Sequence, residues 1–243
     1  IWMSPRCGSS LFCEALSATN LAGRPGEYFN TDESLLKHFD VSDYSSLKEK
    51  FWTAAMSPNA VIGIKHSLIH RRYIAWVNEL AQLRNLEPGE ASEQAVWDDL
   101  FPNCRHIFIC RRNKVHQAVS WWKAIQDNQW HLRPSETRKE KDEFYQGRYD
   151  FAALSTLVRQ TVLREAAIQS YFDRNNIQAF TVVYEDFIEN YEETIKDVLA
   201  FLGLPNDQVS QVPKAYKKTA DNINEIWTQR FREEYQEGHE RTW

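Results

Sequence analysis

Ile1-Trp2-Met3-Ser4-Pro5-Arg6-Cys7-Gly8-Ser9-Ser10-Leu11-Phe12 decides how the rest of the chain is read. Three apolar residues and a Ser precede Pro5, which suits a strand ending in a loop. From Ser9 onward, Leu11, Phe12, Ala15 and Leu16 fall at helical spacing. The unit is therefore strand, tight loop, helix. A helix N-terminus at a strand's carboxyl end offers unpaired N–H groups and a positive dipole end, and so favours anions. Gly8 allows close backbone approach, Ser9 and Ser10 add hydroxyl donors, and Arg6 adds a fixed cationic fork. The plainer alternative is a strand-to-helix turn capped by Ser9. The loop is not a Walker motif, because Gly-x-x-x-x-Gly-Lys-Ser/Thr is absent.

Working outward, Asn20 to Phe29 is an irregular connection, and residues 32–56 are helical with an interruption. Ala60–Lys65 is predicted as a second strand, and 71–84 as an amphipathic helix. His106–Arg111 is predicted as a third strand and Asn113–Gln126 as the next helix. Residues 128–148 are polar, without apolar period, and are expected to form a mobile surface excursion. A helix over Phe151–Phe172, a fourth strand over Gln178–Tyr184 and a helix over Phe187–Leu202 follow, the last closed by Gly203 and Pro205. A polar tail runs from Lys214, with a final helix near Ile223–Glu234. Strands alternating with helices imply an α/β fold: a single domain, residues 1–243, with a central parallel sheet flanked by helices.

The bulk properties narrow the function classes. The chain has 243 residues, 42% of them hydrophobic and 26% charged, which is ordinary globular usage rather than disorder. A net charge of −5 removes the whole-chain cationic footprint of a nucleic-acid binder. No apolar run approaches the ~18 residues of a membrane span. Cys7, Cys13, Cys104 and Cys110 form no Cys-x-x-Cys pair and no zinc spacing, so no metal is expected and reduced thiols in the cytoplasm are. Ile1 falls inside what reads as a strand, which leaves room for residues upstream, and the sequence itself shows no signal peptide.

The third strand ends in Arg111-Arg112, where a magnesium–nucleotide enzyme of this architecture would place Asp. Ser120 lies eight residues after Arg112. At ~100° per residue the two return to within roughly 80° of each other, so both can look toward one anion.

Together these pieces resemble the sulfotransferases that use 3′-phosphoadenosine 5′-phosphosulfate (PAPS). Pro5-Arg6-Cys7-Gly8-Ser9-Ser10 resembles their 5′-phosphosulfate loop, Arg112 with Ser120 their 3′-phosphate motif, and Val183-Tyr184-Glu185-Asp186 a segment closing a late strand. The closer likeness is to the bacterial Stf0 branch, from Trp2 to about Phe231, through the opening loop, Gly23-Arg24-Pro25-Gly26-Glu27-Tyr28-Phe29 and Gln117-Ala118-Val119-Ser120-Trp121. Cytosolic animal sulfotransferases carry Lys in the first loop; here that charge is expected from Arg6.

The resemblance implies a P-loop-like sulfotransferase fold. It implies transfer of a sulfuryl group from PAPS to a hydroxyl of a carbohydrate or glycolipid, without metal, and hints at a homodimer. Pro5 to Ser10, Arg112 and Ser120 would bind the nucleotide, with Tyr184, Lys218 and Thr219 as further contacts, Lys217 beside them, and Trp130 as an acceptor contact. Glu27 is the expected general base, with His66 and His70 as alternatives, and Arg6 contributes to catalysis as well as binding. Two other functions share this architecture: a magnesium-dependent kinase of small hydroxyl compounds, and a non-catalytic nucleotide-binding module.

Overall fold

In the computed structural model, Trp2–Met3 (β1), His66–Ser67 (β2), Ile107–Cys110 (β3) and Phe180–Val183 (β4) form one parallel sheet in the order β2-β1-β3-β4. The structure describes residues 1–67, 70–86, 93–133, 135–137, 142–207, 209, 212 and 221–237, with positions 70, 71, 93 and 94 described through their backbone only. Trp2 pairs with His66 on one side and Phe108 on the other, so β1 is central. The chain leaves β1 for β2 and must then cross β1 to reach β3. This reversal opens a crevice beyond the carboxyl ends of β1 and β3, the usual ligand position in open α/β sheets.

Ten helices surround the sheet among the described residues: Ser9–Ala18 (α1), Leu35–Phe39 (α2), Tyr44–Ala55 (α3), His70–Leu83 (α4), Glu93–Leu100 (α5), Lys114–Asp127 (α6), Phe151–Arg174 (α7), Tyr184–Glu189 (α8), Tyr191–Leu202 (α9) and Asn222–Gln236 (α10). One apolar cluster joins Met3, Ile107, Ile109 and Val182 of the sheet to Phe12 and Leu16 of α1 and to Ile195 and Leu199 of α9. On the other face Trp2 and Phe108 pack with Tyr73 of α4 and with Ile168, Tyr171 and Phe172 of α7. A separate aromatic cluster around Phe29, Phe51 and Trp76 joins α2, α3, α4 and α5. The result is a single α/β domain with helices on both faces of a parallel sheet.

The expected strands are all present, but the second is displaced. Its apolar run makes only isolated bridges, Ile62 with Met56 and Ile64 with Gly26, and pairing with β1 starts at His66. The reason is steric. Gly63 is wedged against Pro25, and a Cβ on Gly23 would stand 2.2 Å from the Gly63 nitrogen. Residues 60–64 are thus occupied by the preceding loop. The helix expected over 187–202 is two, broken at Asn190. The segment expected as a surface excursion is anchored where it is described: Leu132 and Tyr145 are buried, and the Tyr145 hydroxyl donates to Asp127 at 2.5 Å. α10 is fastened to α6 by the buried Lys123, whose ammonium donates to both carboxylate oxygens of Asp221 and to Asn224. No helix among the described residues is long and apolar enough to cross a membrane.

Candidate active site

The loop after β1 is held open by two left-handed residues, Arg6 at φ 64° and Gly8 at φ 92°. Gly8 is required twice over, because a Cβ there would lie 2.2 Å from Cδ2 of Tyr184 as well as being strained. The N-cap of α1 is Gly8, which has no side chain to cap the helix. Its first-turn N–H groups lack intrahelical acceptors, so this end of the helix is suited to cradle an anion. Beneath it, Ser4 is fully buried and its hydroxyl donates to Glu165 at 2.8 Å. Gln117 of α6 donates to that same hydroxyl at 2.8 Å and to the Pro5 carbonyl at 2.7 Å. Glu165 also takes the Lys114 ammonium, at 2.5 Å. Loop, α6 and α7 are thereby locked together below the cradle.

Three cationic groups converge above it. The Arg6 guanidinium donates through Nε to the Ser120 hydroxyl at 3.2 Å and through Nη1 to the Trp130 carbonyl. Burial, and secondarily the charge of Arg111, lowers its pKa to about 10, so it stays charged at neutral pH. Arg111 at the end of β3 lies 4.8 Å from the Tyr184 ring centroid, and its Nη2 shares a 2.6 Å hydrogen bond with His116 Nδ1. Among the described residues its buried Nε has no hydrogen-bond partner, and it sits 3.6 Å from Glu185. Lys65, just before β2, pairs with Glu27 at 2.8 Å and donates to the Ser10 hydroxyl at 3.3 Å. Burial pulls the Lys65 pKa down, but Cys13 and Glu27 outweigh it and the net shift is upward. Glu27 also accepts from Asn30 at 2.8 Å.

These groups line one cavity of about 650 Å³ at the β1/β3 crevice. Among the residues expected from the sequence, Pro5, Arg6, Gly8, Ser9, Ser10, Glu27, Ser120, Trp130 and Tyr184 all line it. Cys7 is buried below, and burial raises its thiol pKa to about 11.

Two residues expected at the site stand elsewhere in the structure. Arg112 does not line the cavity; its guanidinium is paired with the Asp186 carboxylate, with Nη1 3.1 Å from each oxygen, while its backbone N–H donates to Glu185 at 2.9 Å. The spacing from Ser120 pointed to Arg112, yet its neighbour Arg111 is the one that faces the crevice. His66 is not at the cavity either. It is buried in an aromatic nest, 5.2 Å from both Trp2 and Trp76, and burial lowers its pKa to about 3. A strand side chain one residue beyond Lys65 points to the opposite face of the sheet, so His66 is no candidate base. The side chain of His70, and Lys217, Lys218 and Thr219, lie outside the described residues.

Sequence reasoning missed Lys65, Arg72 and Arg164 and named Arg111 only as one of the pair ending the third strand; all four line the cavity. Lys65 was within reach, since a cation ending an apolar run next to the sheet edge is the same signal that singled out Arg112. Arg72 and Arg164 are helix arginines with no local mark.

Comparison with known proteins finds a matching family model and several relatives. A family model described as Stf0 sulphotransferase matches residues 1–234. A trehalose 2-sulfotransferase of Mycolicibacterium smegmatis is 26% identical over 96% of this chain and 93% of its own length. That of Mycobacterium tuberculosis is 24% identical over 94% of this chain and 92% of its own. Among solved structures, a sulfotransferase from Alicyclobacillus acidocaldarius aligns over 100% of this chain and 96% of its own, at 15% identity and a TM-score of 0.44.

Proposed function

This chain belongs to the Stf0 sulphotransferase family, and from that premise we propose that it transfers the sulfuryl group of PAPS to a hydroxyl of a carbohydrate. The observation that carries the reading is the convergence of an uncapped helix N-terminus, Arg6, Lys65 and Arg111 on a cavity with one carboxylate, Glu27, on its wall. Such a donor set fits a nucleotide bearing phosphate and phosphosulfate. The relatives' name supports a carbohydrate acceptor.

In this reading Arg6, the α1 N–H groups and the Ser10 hydroxyl hold the 5′ end of the donor. Ser120 and Arg111 hold the 3′-phosphate, with Arg112 acting from behind through its backbone and its pairing with Asp186. Glu27 takes the proton of the acceptor hydroxyl. That oxygen bonds to sulfur as the bond from sulfur to the 5′-phosphate oxygen breaks, and 3′-phosphoadenosine 5′-phosphate (PAP) departs. Charge grows on the leaving oxygen, where Lys65 and the helix N-terminus meet it. The step is analogous to phosphoryl transfer and depends on positioning and electrostatics. A placed base contributes about 10²–10⁴-fold.

The direct test is calorimetric titration with PAP in the absence of magnesium, combined with ³⁵S transfer from labelled PAPS to trehalose. Failure of PAP to bind removes the reading.

A further inference from the structure

The wall of the cavity beyond Glu27 carries more positive charge than the donor requires. Asn30 connects Glu27 to Arg72, whose Nη1 donates to the Asn30 side-chain oxygen at 2.6 Å. Arg72 is neutralised by Asp32, which takes its Nε and Nη2, both at 2.6 Å. Arg164 of α7 lines the same cavity as Glu27, Asn30 and Arg72. Among the described residues it makes neither hydrogen bond nor ion pair; its guanidinium lies over the Trp121 ring, 5.0 Å from the centroid.

A guanidinium stacked by its flat face keeps its N–H donors at the edge, where a planar or tetrahedral anion meets them in pairs. Arg164 is half-buried, and a partly desolvated cation without a carboxylate is favoured by a ligand that supplies the counter-charge. A second unmet group lies on the same wall: among the described residues the buried Ser67 hydroxyl at the end of β2 has no hydrogen-bond partner. A neutral disaccharide would leave Arg164 without a counter-charge.

Resting on the sulfotransferase reading, we propose that the acceptor is an anionic saccharide, and that Arg164, held flat by Trp121, binds its carboxylate, phosphate or sulfate ester while Glu27 faces the hydroxyl that is sulfated. Arg164 is a specificity-determining residue that leaves the donor untouched.

The experiment compares glucose, glucuronate and glucose 6-phosphate as acceptors. Each is read as ³⁵S transfer from PAPS and as calorimetric binding to PAP-saturated protein. A charged sugar is expected to exceed glucose by about tenfold or more, the size of one added charge-assisted hydrogen-bond pair. The two charged probes separate carboxylate from phosphate recognition. Arg164→Gln should bring the charged-to-neutral ratio to about one, through KM rather than kcat, and Arg164→Lys should restore part of it. The PAP affinity of both variants should match wild type. Charged sugars that neither bind nor react better than glucose overturn the proposal. So does an Arg164→Gln variant that loses PAP affinity, which would assign the residue to the donor. Absence of PAP binding in the wild type defeats the sulfotransferase reading and this one together, whereas normal PAP binding without charge preference defeats this one alone.

Discussion

Arg6 donates to the hydroxyl of Ser120 at 3.2 Å, joining the loop after β1 to the second turn of α6 across 114 residues of chain. The hydroxyl that accepts from Arg6 keeps its own proton, and among the described residues it donates to no one. It is therefore primed to donate to an anion. Ser120→Ala should weaken PAP binding about tenfold or more, the value of one hydrogen bond to a charged group, as measured by titration calorimetry. Unchanged affinity would show that the bond only braces the loop.

Glu27 and Lys65 make a linked pair of expectations. Glu27→Gln should lower kcat by about 10²–10⁴-fold with PAP affinity within about twofold of wild type. Lys65→Met should lower kcat as well but also weaken PAP, because its ammonium touches Ser10 of the donor loop. Steady-state kinetics beside PAP titrations decide this, and a fully active Glu27→Gln protein would strip the residue of its role.

Arg111 and Arg112 are adjacent but not equivalent. Arg111→Gln should reduce PAP affinity by about tenfold or more, as expected for loss of a charged donor facing the ligand. Arg112→Gln should cost less, since its guanidinium is turned to Asp186 and its backbone contact to Glu185 survives the substitution. The reverse order in a PAP titration would mean that the guanidinium of Arg112 leaves Asp186 when ligand binds.

Gly8→Ala combines a positive φ with a contact at 2.2 Å to the Tyr184 ring. A destabilisation of about 1–3 kcal/mol is expected from the backbone alone. Pairing it with Tyr184→Ala should recover only the steric part of the loss in Tm. Full recovery would mean that the dihedral costs nothing.

Acid should destabilise the fold through His66. Its ordinary pKa of 6.5 is lowered to about 3 by burial in the folded protein, so the unfolded chain takes up the proton first. The contribution is intact above pH 6.5 and is lost as the pH falls toward 3, with a slope of at most about 1.4 kcal/mol per pH unit for one proton. Chemical denaturation between about pH 6 and 4 should show a shallower slope in His66→Phe than in wild type; identical slopes would place the proton elsewhere.

The order of strands and helices was legible because hydrophobic period is local. Trp2–Met3, Ile107–Cys110 and Phe180–Val183 all fall inside the expected strands. The second strand was misplaced because Val61 to Ile64 has strand character but spends it against Pro25 and Gly23, a contact no period reveals. The first loop was read correctly for the same local reason, since Gly8 and the residues around it announce a turn before a helix. The choice between Arg111 and Arg112 depended on Asp186, 74 positions away from Arg112. Lys65 took on meaning only once its ammonium met Glu27 and Ser10, and Arg164 only when α7 lay across Trp121.

The fastening of Ser4 and Pro5 by Gln117 and Glu165 carries a thermodynamic consequence. The cradle's shape is fixed when the protein folds, so a nucleotide arriving there has little backbone left to freeze. Under the proposed function its affinity is then set by electrostatic match, and product can leave without dismantling the receptor for the next donor.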